Sequence, residues 1–209
     1  MNRRNLLIRS TLAALAFTLS FTPALAERQP DLSRKAVTDD PVAPKRGTPG
    51  YDVTIVEFFD YNCPYCRRMD PVLNSLLASD RKVRLVYRDW PIFGPASREA
   101  ARAAIASQWQ GRHTAFHAAL LSSPARLDSA GIRAAAARAK VDWPRLQHDL
   151  TLHGAEIDAL LARTNAIAEA VGFHGTPALI VGSQLVAGAV DLPSLRRIVA
   201  TARARPEAR

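Results

Sequence analysis

The chain has 209 residues, 48% of them hydrophobic and 22% charged, with a formal net charge of +9. That length suits one domain carrying an insertion, and the apolar share is enough for a real core, which excludes a disordered chain. The arginines are spread along the sequence beside Asp and Glu, which points to a solvated basic surface and argues against nucleic acid as a partner.

Residues 1–26 read as a secretory signal. Arg3, Arg4 and Arg9 give a positive start, Leu12 to Phe21 is a short apolar run, and Ala24-Leu25-Ala26 is a small-x-small cleavage site. Removing it takes away those three arginines and leaves +6. The run is too short for a comfortable membrane span. An exported, periplasmic protein is expected, in a compartment where disulfides persist. Arg3-Arg4 before Asn5-Leu6-Leu7 also resembles a twin-arginine signal, although an ordinary signal fits the following positions better. Residues 27–50 read as a flexible linker, because Pro30, Pro41, Pro44, Pro49, Gly47 and Gly50 interrupt them and apolar periodicity is absent. At most a short helix at Leu32–Val37 is expected there.

Residues 51–96 hold the stretch around which the chain is organised. Val53 to Phe59 has the length and the β-branched, aromatic content of a buried strand. Asp60-Tyr61-Asn62 is a polar turn. Cys63-Pro64-Tyr65-Cys66 then opens a helix, with Asn62 as the expected N-cap and Pro64 in the first turn. A thiol at a helix N-terminus ionises more easily than a free one, because unpaired N–H groups and the helix dipole favour the anion. Cys66 is within reach of a disulfide. The pair is chemically a nucleophile and a resolving thiol. Zinc would need a second CxxC or a nearby Cys/His pair, and a bridge closing so short a loop would stabilise little by itself. These are the only two cysteines. The helix continues through Pro71, which should kink it. Lys82 to Arg88 alternates like a strand, with Val83, Leu85 and Tyr87 on one face.

Residues 97–171 are alanine-rich and helical in pattern, with apolar pairs four apart at Ile105 and Trp109, Phe116 and Leu120, Leu146 and Leu150, and Ile157 and Leu161. Four or five short helices are expected, broken at Gly111, Ser122-Ser123-Pro124, Val141-Asp142 and His153-Gly154. Asp128 and Asp142 are candidate N-caps. His113 and His117 share a face at metal-ligand spacing, but no third ligand is evident beside them, so a solvated pair is expected. Residues 172–209 begin with a loop containing His174, Thr176 and Pro177; His174 is read as a solvated loop residue. A strand from Ala178, a two-residue turn at Gly182-Ser183, a return strand and a last amphipathic helix capped by Asp191 follow.

This order resembles the thioredoxin fold with an inserted α-helical domain, the pattern of the DsbA-like thiol:disulfide oxidoreductase family. The match rests on Glu57-Phe58-Phe59 leading to the CxxC, on Pro71 five residues after Cys66, on the RDWPIFGPAS stretch from Arg88 to Ser97, and on Gly175-Thr176-Pro177 before a strand. It implies an α/β architecture in which residues 51–96 and 172–209 are two parts of one thioredoxin-like domain and residues 97–171 are the insert. It further implies that Cys63, Cys66, Pro177, Thr176 and Glu57 are catalytic. Pro177 would be a cis-proline facing the disulfide, and Glu57 a buried acid moving protons for Cys66. Pro64, Tyr65 and Thr176 would meet the client, with Thr176 offering its backbone to an extended segment.

An exported disulfide oxidase is therefore expected, working on client proteins with cysteines and recharged by a membrane or soluble redox partner. The redox-active disulfide serves in place of a metal or organic cofactor. Tyr65 and Thr176 depart from the strongest oxidases, and Thr-Pro is shared with the family's isomerases and reductases, which remain the alternative. A copper or zinc carrier using the CxxC thiolates and a chaperone acting by surface binding alone are two further readings from other classes. A monomer is expected because residues 27–50 look too short and broken to dimerise. The Thr176 hydroxyl is expected to touch the cysteine pair, so that its removal would move the couple toward strong-oxidase behaviour.

Overall fold

The structure, a computed structural model, describes residues 29–205. The signal expected over residues 1–26 lies outside the described residues. In chain order the elements are α1 (Arg34–Thr38), β1 (Lys45–Arg46), β2 (Val53–Phe59), α2 (Pro64–Ser79), β3 (Val83–Asp89), α3 (Pro95–Ala106) running into a tight turn at Ser107–Gln110, α4 (His113–Leu121), α5 (Ser129–Arg138), α6 (Trp143–Ala170), β4 (Ala178–Val181), β5 (Gln184–Ala187) and α7 (Leu192–Ala204). The strands form one sheet in the order β1-β3-β2-β4-β5. β2 and β3 are parallel, joined through α2, while β4 runs antiparallel to β2. Helices α3 to α6 occupy the whole connection between β3 and β4. This is a thioredoxin-like fold with a helical insertion.

β2 is central because every one of its residues is buried, which a strand covered on both faces requires. Its register places Glu57 beside Tyr87 of β3 and Leu179 of β4. On the Glu57 face, α4 packs its histidines on the sheet, with the rings of His113 and His117 at 4.9 and 4.6 Å from Tyr87. On the opposite face, Phe58 meets Phe173 edge-on at 5.4 Å. The hairpin turns at Gly182, whose φ of +57° suits a residue without Cβ. Asp128, Asp142 and Asp191 each cap a helix, their carboxylates accepting from Gly131, Arg145 and Ser194 N–H groups.

Three expectations are corrected. Residues 29–50 are not a flexible linker: β1 pairs with β3, and α1 is locked by the fully buried Arg88. The Arg88 guanidinium donates to the carbonyls of Val37 and Ala36 and to Asp40, and Asp40 also accepts from Arg163 of α6 at 2.8 Å. The prolines break regular structure there without freeing the segment, because side chains from β3 and α6 supply its partners. Secondly, the helical region does not break at His153-Gly154; α6 runs unbroken for 28 residues. Gly154 is buried, and a Cβ there would sit 3.2 Å from Arg102 Nη2 of α3, so its bareness serves helix–helix approach. Thirdly, His113 and His117 are buried in the core, at 7% and 2% exposure, not solvated.

Candidate active site

The end of β2 leads into a turn organised by Asp60. Its buried carboxylate accepts from the N–H groups of Asn62 at 2.7 Å and Phe93 at 3.0 Å, and its carbonyl accepts from Cys63 N–H at 3.0 Å. The N-cap of α2 is Cys63 itself, with Pro64 as the first helical residue. Asn62, expected to be the cap, turns instead to the insertion: its amide oxygen accepts from Leu127 N–H at 2.7 Å and its amide nitrogen donates to Ser97 at 3.3 Å. Arg67 adds to this tie, donating to the Ser123 and Ala125 carbonyls. The inserted helices therefore hold the turn that carries the cysteines. α2 continues through Pro71.

Cys63 and Cys66 are free thiols, both buried. The Cys63 thiol donates to the Thr176 carbonyl at 3.2 Å, and the Thr176–Pro177 peptide bond is cis. This brings Cys63 and Thr176-Pro177, which are distant in sequence, to one place. The Thr176 hydroxyl is buried without a hydrogen-bond partner among the described residues, yet it lies close enough to Cys63 to favour its thiolate. The Cys63 pKa falls to about 6, mainly because the Cys66 thiol donates to it; burial opposes this, and the Thr176 hydroxyl and the N–H groups of Cys66 and Tyr65 assist. Toward a thiolate, then, the unpartnered hydroxyl is a donor in waiting. Burial pushes the Cys66 thiol far up, with the bond to Cys63 and the charge of Glu57 adding to it. One sulfur is an anion at neutral pH and the other stays protonated, the asymmetry needed for ordered exchange.

Glu57 is 1% exposed, and its Oε1 lacks a partner. Burial first, then the charges of Asp70, Asp89 and Cys63, raise its pKa well above the usual carboxylate range. That holds the carboxyl in its neutral form. A second buried acid, Asp89, is likewise raised by burial. Sequence reasoning did not single out Asp60, Asp70 or Asp89, and it expected His117 to be solvated. No sequence signal marked Asp89 as buried; for His117 the signal was the spacing of Phe116 and Leu120, which puts His113 and His117 on the same apolar face of α4. Pro64 is exposed, and Tyr65 is 54% exposed with the Arg68 guanidinium 4.4 Å above its ring. Ile92 and Phe93, at 42% and 40%, add exposed apolar surface in the loop that Asp60 anchors. His174 is exposed. Among the described residues, no three His, Cys, Asp or Glu side chains are grouped to hold a metal, and no helix is long and apolar enough to cross a membrane.

Comparison with known proteins agrees with the thioredoxin-like fold. Residues 54–200 match the DSBA-like thioredoxin domain. A thioredoxin-like oxidoreductase from Silicibacter pomeroyi superposes with a TM-score of 0.78 at 43% identity, covering 84% of this chain and 99% of the other. The thiol:disulfide interchange protein DsbA of Bordetella parapertussis is 28% identical over 85% of this chain and 84% of its own length. The Na(+)/H(+) antiporter NhaA 3 of Salinispora tropica is 32% identical over 78% of this chain but only 26% of its own length. The chain thus spans about a quarter of the curated antiporters it matches.

Proposed function

The chain belongs to the DSBA-like thioredoxin domain family, and we propose that it is an exported disulfide oxidase of intermediate strength, acting through Cys63 and Cys66. As a member of that family it is a thiol-disulfide oxidoreductase; the direction is our reading. The observation that carries it is the Cys63 pKa of about 6 beside a Cys66 held protonated. Stabilising the thiolate stabilises the reduced pair, and a pair more stable when reduced is an oxidant.

A client thiolate attacks Cys63 Sγ in the oxidised protein. The Cys63–Cys66 bond breaks, Cys66 leaves with the electron pair, and Glu57 supplies its proton. A second client thiolate then attacks the client sulfur of the mixed disulfide, and Cys63 departs as a thiolate. The client has lost two electrons and gained a disulfide; the protein holds one thiolate and one thiol. An oxidising redox partner, membrane-bound or soluble, returns it to the disulfide. No metal or organic cofactor takes part. Thr176 meets the client through its backbone, Pro177 shapes that loop, and the exposed Pro64, Tyr65 and Phe93 receive apolar client residues.

Residues 1–26 act as the export signal, and the protein works in the periplasm as a monomer. The test is oxidation of a reduced two-cysteine peptide. Cys63→Ser should abolish it, and Cys66→Ser should accumulate mixed disulfides with clients. Equal activity of Cys63→Ser and the unaltered protein contradicts the assignment. Efficient unscrambling of a multi-disulfide substrate by a stable oligomer contradicts both the oxidase and the monomer.

A further inference from the structure

Asp60 directly follows β2, and it is 2% exposed. A buried carboxyl is costly unless its oxygens are partnered. Each oxygen accepts one backbone N–H: Oδ1 takes Asn62 at 2.7 Å and Oδ2 takes Phe93 at 3.0 Å. The two N–H groups belong to separate segments. Asn62 is in the turn before Cys63, whose own N–H bonds the Asp60 carbonyl at 3.0 Å. Phe93 is in the loop between β3 and α3, which presents the exposed side chains of Ile92 and Phe93.

These bonds are two sides of a closed ring. The Asn62 amide oxygen accepts from Leu127 N–H at 2.7 Å. Leu127 follows Arg126 in the chain, and Arg126 Nη2 donates to the Phe93 carbonyl at 2.8 Å. Phe93 N–H then returns to Asp60. Phe93 is clamped through both of its backbone groups, the N–H by Asp60 and the carbonyl by Arg126, while its side chain stays 40% exposed. The ends of the loop are also fixed. Trp90 N–H donates to the Phe59 carbonyl at 2.7 Å, and the chain leaves through Gly94 at a φ of +103°, where a side chain would be strained.

We propose that Asp60 is a positioning residue for client selection: it holds the Phe93 side chain and the Cys63 turn in one hydrogen-bonded unit. Both lie one hydrogen bond from Asp60. A client with a bulky apolar residue beside its cysteine is gripped by Phe93 while its sulfur meets Cys63. Asp60 makes and breaks no bond in the exchange; it sets where the client lies, and misplacement of that kind is costly. This deepens the exchange reading above and rests on it. The insertion closes the ring through Arg126 and Leu127, and so takes part in selecting the client.

The test uses two reduced two-cysteine peptides, one with leucine and one with serine beside the first cysteine. KM and kcat are measured for each, together with reduction of the oxidised protein by dithiothreitol and the Cys63 alkylation profile. The unaltered protein should prefer the leucine peptide, and equal use of both overturns the proposal. An amide has one acceptor oxygen where a carboxylate has two, so Asp60→Asn opens the ring without removing bulk. It should raise KM for the leucine peptide by about tenfold and change kcat by less than about twofold, the pattern of lost client binding. The serine peptide and dithiothreitol should be affected far less. The Cys63 titration should hold, because Cys63 bonds to the Asp60 backbone, which the substitution keeps. Phe93→Ala should remove the leucine preference, and adding Asp60→Asn to it should lower the preference no further. An undiminished leucine preference in Asp60→Asn overturns the proposal. So does equal loss with both peptides and dithiothreitol, or a shifted Cys63 titration, either of which marks a merely structural residue. If Asp60→Asn fails to fold, Arg126→Ala, on an exposed residue, opens the ring from the other side, and an undiminished preference there overturns the proposal alone. Persistence of exchange in Cys63→Ser would instead defeat the reading beneath.

Discussion

The chemistry turns on a few atoms whose protonation the fold has set. The main support of the Cys63 thiolate is the Cys66 thiol. Cys66→Ala should therefore raise the midpoint of Cys63 alkylation above about 6, and Cys66→Ser, which keeps a donor, should raise it less. Thr176→Val should raise it too, because the hydroxyl helps the anion. That moves the couple in the reducing direction, opposite to the expectation from sequence, where the hydroxyl was taken to work against oxidation. The depressed pKa also carries a pH dependence. The stabilisation that the thiolate gives to the reduced protein is complete above the pKa of an unfolded cysteine, about 8.5. It is lost as pH falls through about 6. Glu57 has the reverse sign. Its folded pKa is raised, so the protein loses stability as pH climbs above the ordinary glutamate value of about 4.3. Glu57→Gln should melt higher at pH 7, show no gain near pH 4, and slow turnover by roughly 10²-fold through loss of the acid. A thermal scan at both pH values and a peptide-oxidation rate check this; unchanged melting and rate would contradict the buried-acid role.

At the scale of elements, the ordering of α1 depends on one side chain of β3. Arg88 holds α1 carbonyls and Asp40 with no exposure of its own. Arg88→Ala leaves a buried carboxylate and two carbonyls short of donors, a change that typically costs about 3–5 kcal/mol. Urea unfolding should show that loss, and amide exchange should speed selectively over residues 34–46. Uniform exchange with no destabilisation would mean that β1 pairing alone orders the segment. The same element shows where sequence reading stops. β2, β3, the hairpin and the capped helices were legible, because burial periodicity and Asp caps are local signals. Residues 29–50 were misread because their order comes from Arg88 and Arg163, and a sequence shows a charged residue without showing its partner. Gly154 reads as a break in sequence for a related reason: its lack of a side chain serves the approach of Arg102 on α3, which is distant in the chain.

For the whole molecule, the insertion and the thioredoxin-like part share one site. Cys63 and Cys66 were legible from spacing alone, and Thr176, Pro177 and Glu57 followed from the family resemblance. Asn62 reaching Leu127, Arg67 reaching Ser123 and His117 reaching Tyr61 were not legible, since each joins segments with no shared pattern. These ties make the insertion part of the redox centre rather than a lid placed over it. Its thermodynamic output is a single number, the reduction potential of the Cys63–Cys66 couple.

That potential, measured against glutathione from pH 5 to 8, tests the account most directly. An oxidant of intermediate strength should lie between roughly −270 mV, the value of a reducing thioredoxin, and roughly −120 mV, that of a strong oxidase. Its slope should ease from about 59 to about 30 mV per pH unit as pH rises through about 6, because Cys63 then stays ionised while Cys66 still takes a proton. A couple at or below about −270 mV, with no change of slope near that pH, would contradict the stabilised thiolate and the oxidase built upon it.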